Sequence, residues 1–295
     1  MATSHLNPRS SYHARSNSLP SRPHPVIPKL DEHLCRLRSL EATSSTSSSA
    51  SICHKLSGLQ ELHDCVDDML LLPTTQQAFV QESNERWVDE LLDGSLRLLD
   101  LCSIAKDALL QTKECAQKIQ SIMRRRRGTE MELTSEIRNY MNSRRMIRKA
   151  IRRALKGKQS KSTEKNHDTF PMVSALREAE AVNLTIFESL LSYIAGHSLQ
   201  TRSGSWSLVS KLVSPKIVAS NYEENGSNEL EKLDAALQIL TDHKPNKSDY
   251  IMHVENVQNH LGRLESRIQD LEDGLECLFR RLVKTRVSLL NILNH

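Results

Sequence analysis

The C-terminal segment carries the most regular hydrophobic pattern of the chain, and this pattern limits the folds that the chain can adopt. Apolar residues recur there at alternating steps of three and four, the heptad spacing of a helix with one buried seam. The positions are Val257, Leu261, Leu264, Ile268, Leu271, Leu275, Leu278, Leu282, Leu289 and Ile292, with Thr285 as a polar interruption. A helix over residues 248–294 would be roughly 70 Å long at about 1.5 Å per residue. The segment therefore needs an equally elongated helical partner.

We expect the partner of this long helix to be the rest of its own chain. Val283, Val287 and Leu290 lie behind the heptad seam, where a two-stranded coiled coil would leave them in water. In a parallel dimer, Arg281 would also face Arg286, which is an unfavourable pair of like charges. We therefore predict that the C-terminal end of the helix is buried all round within a bundle.

Other parts of the chain show the same helical period. Only 9 Gly and 9 Pro occur among 295 residues, which leaves little turn chemistry for a sheet. Apolar residues at a period near 3.6 predict helices over residues 55–72, 87–123, 129–155, 171–194 and 229–241. The region 197–228 is expected to be a loop with a short helix near 208–213. The predicted fold class is all-α, an elongated helical bundle over residues 53–295.

The first 52 residues have a different composition. They are rich in Ser, Pro, His and Arg, have no acidic residue before Asp31, and end in a Ser/Thr tract at 44–49. Such a segment buries too little apolar surface to offset its ordering entropy, so we expect a disordered tail over residues 1–52 that folding does not require. The same composition is also typical of a plastid transit peptide, which leaves a plastid location open beside a cytoplasmic one.

The tail contains one short motif with a physical rationale. Arg15, Ser16, Ser18 and Pro20 have the RSxSxP spacing of the phosphoserine motif that 14-3-3 proteins bind. A phosphate on Ser18 would add nearly two negative charges for an arginine cluster to bind, and Pro20 would turn the chain away. We predict a 14-3-3 protein as a partner.

The charge of the chain is concentrated in two segments of opposite sign. Between Arg124 and Lys161 there are 14 Lys or Arg against three Glu, although the whole chain has a net charge of only +4. From Glu223 to Glu276, 13 acidic residues face five Lys or Arg. The residues that we single out as a surface for an anionic partner are Arg124, Arg125, Arg126, Arg127, Arg144, Arg145, Arg148, Lys149, Arg152 and Arg153.

Three interpretations of this basic segment are open. It could lie on an anionic membrane surface, where each basic residue contributes about 1 kcal/mol. It could contact nucleic acid, although Tyr140 is the one aromatic residue available to stack on bases, which makes this interpretation less attractive. It could also be neutralised by the acidic segment within the chain, and this is the interpretation that we favour.

The sequence shows no pattern that demands a reaction, a metal or a cofactor. There is no GxGxxG, P-loop, HExxH or GxSxG motif, so we predict that the protein is not an enzyme. Cys53, His54, His63 and Cys65 do not match a zinc spacing. The six cysteines form no CxxC pair and no apolar run is long enough to span a membrane, which predicts an intracellular protein with reduced thiols.

Five stretches of the sequence resemble the plant-specific BYPASS-like family. They are YHARSNSLPSRPHP at 12–25, KLSGLQELHDCVDDML at 55–70, LPTTQQA at 72–78, WVDELLDGSLRLLDLCSIAKDALLQTKE at 87–114 and LEDGLECLFRRLVKTRVSLLNILNH at 271–295. The resemblance implies an all-helical plant protein associated with root and shoot development, with no catalytic residues. We therefore expect a helical interaction or scaffold protein, with a peripheral membrane protein that binds anionic lipid as the alternative.

Overall fold

The chain folds into an elongated bundle of α-helices. The computed structural model describes residues 24–43, 48–81, 86–125, 130–156, 171–196, 228–242 and 247–294. Within these ranges there are eight helices and no strands. They are α1 (Val26–Thr43), α2 (Ser49–Leu70), α3 (Pro73–Gln81), α4 (Arg86–Arg124), α5 (Glu130–Lys156), α6 (Pro171–Ala195), α7 (Glu229–Asp242) and α8 (Lys247–Leu293). The predicted fold class is confirmed.

Local sequence signals set the ends of several helices. The Ser48 side chain accepts a hydrogen bond from the Ser51 amide at 3.2 Å and caps the start of α2. The Asn228 side chain accepts one from the Leu230 amide at 2.9 Å at the start of α7. At the end of α6, Gly196 has a φ of +78°, a left-handed conformation that favours glycine and stops the helix.

The long helix α8 is the axis of the bundle. Its heptad seam packs against α2 and α4 along its length, and α7 covers another side. The polar interruption of the seam has a specific role, because the Thr285 hydroxyl donates a hydrogen bond of 2.7 Å to the Asp67 carboxylate on α2. The same threonine lies 3.3 Å from the His63 ring. Thr285 thus joins α8 to α2 through polar groups inside an apolar core.

The C-terminal end of α8 differs from the prediction that it is buried all round. Val283, Val287 and Leu290 are 38%, 48% and 36% exposed. The physical reason is that the contacts of α8 with α2, α3 and α4 bury the seam residues Leu282, Leu289 and Ile292 but leave the side chains of Val283, Val287 and Leu290 partly uncovered. Within the described residues the opposite side of this end remains open to solvent.

The N-terminal tail also differs from the prediction in its described part. Residues 26–43 form α1, which packs on α2 and α6 and buries Leu30, Leu34 and Leu37. The helix α2 begins at Ser49, which also lies inside the predicted tail. The disordered tail predicted over residues 1–52 is therefore corrected for 26–43 and 49–52, because α1 supplies apolar side chains that cover α2.

Candidate anionic-partner surface

The helix α5 carries most of the basic residues that the sequence singled out. Its apolar side chains at Leu133, Ile137, Tyr140, Ile147 and Ile151 are buried where α5 packs on α4, α6 and α7. The opposite side presents cations to solvent. These exposed side chains, which we call the basic stripe, are Arg138, Arg145, Lys149, Arg152, Arg153 and Lys156.

The basic stripe is straight and long. The spacing from Arg138 through Arg145, Lys149 and Arg152 to Lys156 follows steps of seven, four, three and four, which keeps these residues on one side of a helix. They span 19 residues, or about 27 Å along the helix axis. A row of cations of this length can contact several anionic groups of a partner at once.

Two of the predicted surface residues do not belong to the stripe. The Arg144 side chain is fully buried, and Arg148 is only a quarter exposed. Both bind the Asp234 carboxylate on α7, with Arg144 Nε lying 3.3 Å from Asp234 Oδ1. The Tyr140 hydroxyl donates to the same carboxylate at 2.7 Å. These side chains form an internal polar cluster rather than a surface.

The polar cluster has a structural role at the end of α6. Arg144 donates a hydrogen bond of 2.7 Å to the Ile194 carbonyl, and Arg148 donates one of 2.8 Å to the Ala195 carbonyl. These carbonyls belong to the last turn of α6, where a helix accumulates partial negative charge. Burial, and after it the Asp234 charge, raises the pKa of Tyr140 well above its usual value, so its hydroxyl stays protonated. The cluster thereby fixes α5 against α6 and α7.

The acidic segment pairs mainly with other helices than α5. On α8, Glu272 lies 2.6 Å from Lys113 and Glu276 lies 2.5 Å from Lys106, and both lysines belong to α4. Within the predicted basic set, Arg144 and Arg148 of the polar cluster bind Asp234 of the acidic segment. We predicted that residues 223–276 neutralise the basic segment, and the structure shows this for Arg144 and Arg148, which pair with Asp234.

The remaining predicted residues fall partly outside the described ranges. Arg124 and Arg125 are exposed at the end of α4. Arg126 and Arg127 lie outside the described residues, as do Arg15, Ser16, Ser18 and Pro20 of the phosphoserine motif and the short helix predicted near 208–213. The structure therefore adds nothing to these predictions.

The four histidine and cysteine residues considered as metal ligands lie along α2, where Cys65 is buried, Cys53 is partly buried and His54 is exposed. His63 is buried, with Nε2 lying 3.2 Å from Asn183 Oδ1 and Nδ1 facing Thr285. No cluster of three or more His, Cys, Asp or Glu side chains in the described ranges is arranged to hold a metal ion. The six cysteines are free thiols, and burial raises the pKa of Cys102 to about 12.

Two surfaces were not found from the sequence. One is the exposed apolar end of α8, described above, which lies near Leu71 and Val80. The other is a groove between the consecutive helices α7 and α8, whose basic residues come from both helices rather than from one basic run of sequence. Among the helices that the structure describes, none combines the length and the apolar character needed to cross a bilayer.

Comparison with known proteins identifies the family. No significant match is found among curated proteins or among solved structures. One family, described as Protein BPS1, matches residues 55–292. The matched region extends from α2 almost to the end of α8 and includes the basic stripe and the polar cluster. Because the match covers most of the chain, this protein belongs to the BPS1, or BYPASS, family.

Proposed function

We propose that this protein is a non-enzymatic interaction protein of plant development that binds an acidic protein partner through the basic stripe. Membership of the BPS1 family implies the developmental role. The observation that supports the interaction is the exposure of the stripe on a helix whose orientation is fixed. Arg144 and Arg148 hold α5 in the bundle, and Arg138, Arg145 and Lys149 point away from it.

The physical basis of the binding is charge complementarity. Surface charges raise association rates and select partners of opposite sign, and they contribute most when several lie on one rigid element. On α8, Glu276 and Glu272 pair with Lys106 and Lys113 of α4. An acidic partner therefore meets a preformed row of cations.

The experiment compares two charge variants by proximity labelling in plant cells. The stripe variant replaces Arg138, Arg145, Lys149 and Lys156 with Gln. The matched control replaces Lys29, Arg86, Lys118 and Arg280, which are exposed cations on the three other helices α1, α4 and α8, with Gln. Both variants lose four charges, so a difference between them reports position rather than net charge.

We expect the stripe variant to lose specific neighbours that the parent and the control retain. Those neighbours should be proteins with acidic surfaces, and their recovery from lysates should fall as salt shortens the Debye length to about 8 Å or less. If the parent and both variants label the same neighbours, the stripe is not an interaction surface and the proposal is wrong.

An anionic membrane is the second candidate partner, favoured by the straightness of the stripe and by Met146, which is 61% exposed on the same helix. Removing four stripe charges would weaken binding to anionic vesicles by about 4 kcal/mol, or roughly a thousandfold. Co-sedimentation with vesicles that contain phosphatidylserine tests this directly, with neutral vesicles as the control. Salt-sensitive sedimentation that the stripe variant loses and the control variant keeps would establish the membrane as the partner.

The phosphoserine motif supports a further proposal, a 14-3-3 protein as a regulatory partner. A peptide of residues 11–25 with phosphate on Ser18 should bind a 14-3-3 protein at micromolar concentration in titration calorimetry. The unmodified peptide should not bind, because the arginine cluster of the groove then has no phosphate to contact. Equal affinity of the two peptides would end the proposal.

A further inference from the structure

A second basic site lies between α7 and α8, apart from the basic stripe of α5. It is a groove of about 450 Å³, which falls in the range of roughly 300–1,000 Å³ that small-molecule sites occupy. Its lining side chains are Glu229 and Lys232 of α7 and His260, Arg263, Ser266 and Arg267 of α8. Lys232 approaches from one helix and the two arginines approach from the other.

The cations of the groove are close to one another. On α8, His260, Arg263 and Arg267 follow steps of three and four, which places them on one side of the helix. The pKa of His260 is lowered, first by burial and then by the positive charges of Arg263 and Lys232. Lys232 of α7 lines the same groove as His260, Arg263 and Arg267 of α8, so the two helices bring positive charge to one place.

The carboxylate in the groove is already engaged. Both oxygens of Glu229 accept hydrogen bonds of 2.9 Å, one from the Ser49 hydroxyl and one from the Tyr193 hydroxyl. Arg267 has a contact with Asp270 at 3.5 Å, but both side chains are about half exposed, and such pairs contribute little. The three cations Lys232, Arg263 and Arg267 outnumber Glu229, the carboxylate of the lining, so the groove has an excess of positive charge.

We propose that the groove between α7 and α8 binds the phosphate groups of a small, multiply phosphorylated ligand. An arginine presents two parallel N–H donors that match two phosphate oxygens, and lysine adds a point charge. Arg263 and Arg267 supply two such forks, and Ser266 of the same lining supplies a hydroxyl. A soluble phosphorylated metabolite and a phosphorylated lipid headgroup share this chemistry.

The binding experiment uses the full chain and inositol 1,4,5-trisphosphate as the probe, in titration calorimetry at physiological salt. The groove variant replaces Arg263 and Arg267 with Gln, and the matched control replaces Arg138 and Lys149 of the basic stripe. Since a hydrogen bond to a charged group contributes about 1.5–3 kcal/mol, losing two should weaken binding by at least about a hundredfold. The control should bind within about twofold of the parent.

A second measurement identifies the site directly. Bound phosphate should offset the repulsion from Arg263 and Lys232 and so raise the pKa of His260, which NMR of the histidine ring reports. Vesicles that contain phosphatidylinositol 4,5-bisphosphate form the other arm of the experiment. Binding of the soluble probe points to a metabolite, and binding of the vesicles alone points to a lipid headgroup.

Three outcomes would overturn the proposal. The first is no saturable binding of the soluble probe or the vesicles at millimolar phosphate. The second is equal loss of binding in the groove variant and the stripe control, which would show attraction to net charge only. The third is binding that leaves the His260 resonance unchanged. The substitutions that test the basic stripe lie on α5, whereas those that test the groove lie on α8. The two proposals can therefore fail independently.

Discussion

The packing of α1 gives a quantitative prediction for Leu34→Ala. Leu34 is 1% exposed and lies between Leu30 and Leu37 on the buried side of α1. Truncation of a buried leucine to alanine costs about 2–5 kcal/mol, from the lost burial and from the cavity that remains. The free energy of unfolding of an ordinary domain is about 5–15 kcal/mol, so this one substitution removes a large part of the stability.

Deletion of residues 1–47 should cost more than Leu34→Ala. It removes all three buried leucines and also Glu41, whose carboxylate lies 2.8 Å from Lys55 Nζ. The Lys55 side chain is only 5% exposed, so the deletion leaves a buried ammonium group without this ion pair. We expect the truncated chain to lose cooperative unfolding.

The measurement is urea denaturation followed by circular dichroism, with Glu32→Ala as the control. Glu32 is exposed on the same helix, and its substitution should change the free energy of unfolding by less than about 0.5 kcal/mol. Leu34→Ala should lower the midpoint without changing the slope against urea. If Leu34→Ala matches the control and the truncated chain keeps the parent midpoint, α1 does not stabilise the bundle and the reasoning fails.

Three other substitutions test different parts of the core. Leu282→Asp places an unpaired charge in the buried α8 seam and should abolish cooperative unfolding in a thermal melt. If the variant instead melts like the parent and changes only its oligomeric state, α8 forms an intermolecular coiled coil. Burial lowers the pKa of His63 in the folded chain, so as the pH falls the unfolded chain is protonated at this histidine before the folded chain is. The free energy of unfolding should therefore fall as the pH drops below about 6.5. Urea midpoints between about pH 8 and pH 5 should then depend less on pH in His63→Gln, and an unchanged dependence would exclude His63 as the cause. Gly196→Ala should lower the free energy of unfolding, measured by urea denaturation, by about 1 kcal/mol because residue 196 has a positive φ, and Gly196→Asn should lower it less. Equal losses in the two variants would show that the backbone conformation is not the reason.

Helical periodicity made most of the bundle predictable. The heptads of α8 and the apolar stripes of α4, α5, α6 and α7 each predict a helix whose bounds lie close to those observed, whereas α2 begins six residues before the predicted start and α3 was not predicted. The helix α1 was not predicted, because the Ser-rich composition around it is typical of a disordered segment. Its signal was present, since Leu30, Leu34 and Leu37 follow steps of four and three.

The site was less predictable because its contacts join distant parts of the chain. Arg144 occupies a position between Tyr140 and Ile147, in the middle of the buried side of α5, so spacing alone could have marked it as an inward residue. Its partner Asp234 lies 90 residues further along the chain and carries no motif. No local pattern of charge predicts such a contact.

The exposed end of α8 was wrongly predicted for a related reason. Heptad spacing shows that Leu282 and Leu289 face a neighbour, but it does not show how many neighbours surround the helix. Val287 is nearly half exposed because the helices on the seam side do not wrap around α8. The number of neighbours is a property of the assembled bundle.

The position of α8 in the chain bears on how this protein is made. The helices α2 and α4 bury their leucines against α8, yet roughly 180 residues separate the end of α2 from the start of α8. At about 5–20 residues per second, a ribosome takes about 10–35 s to synthesise that interval. During this time the part of α2 that packs on α8 stays uncovered, and the corresponding part of α4 stays uncovered for a shorter time. Nascent chains should therefore bind holding chaperones until α8 is synthesised.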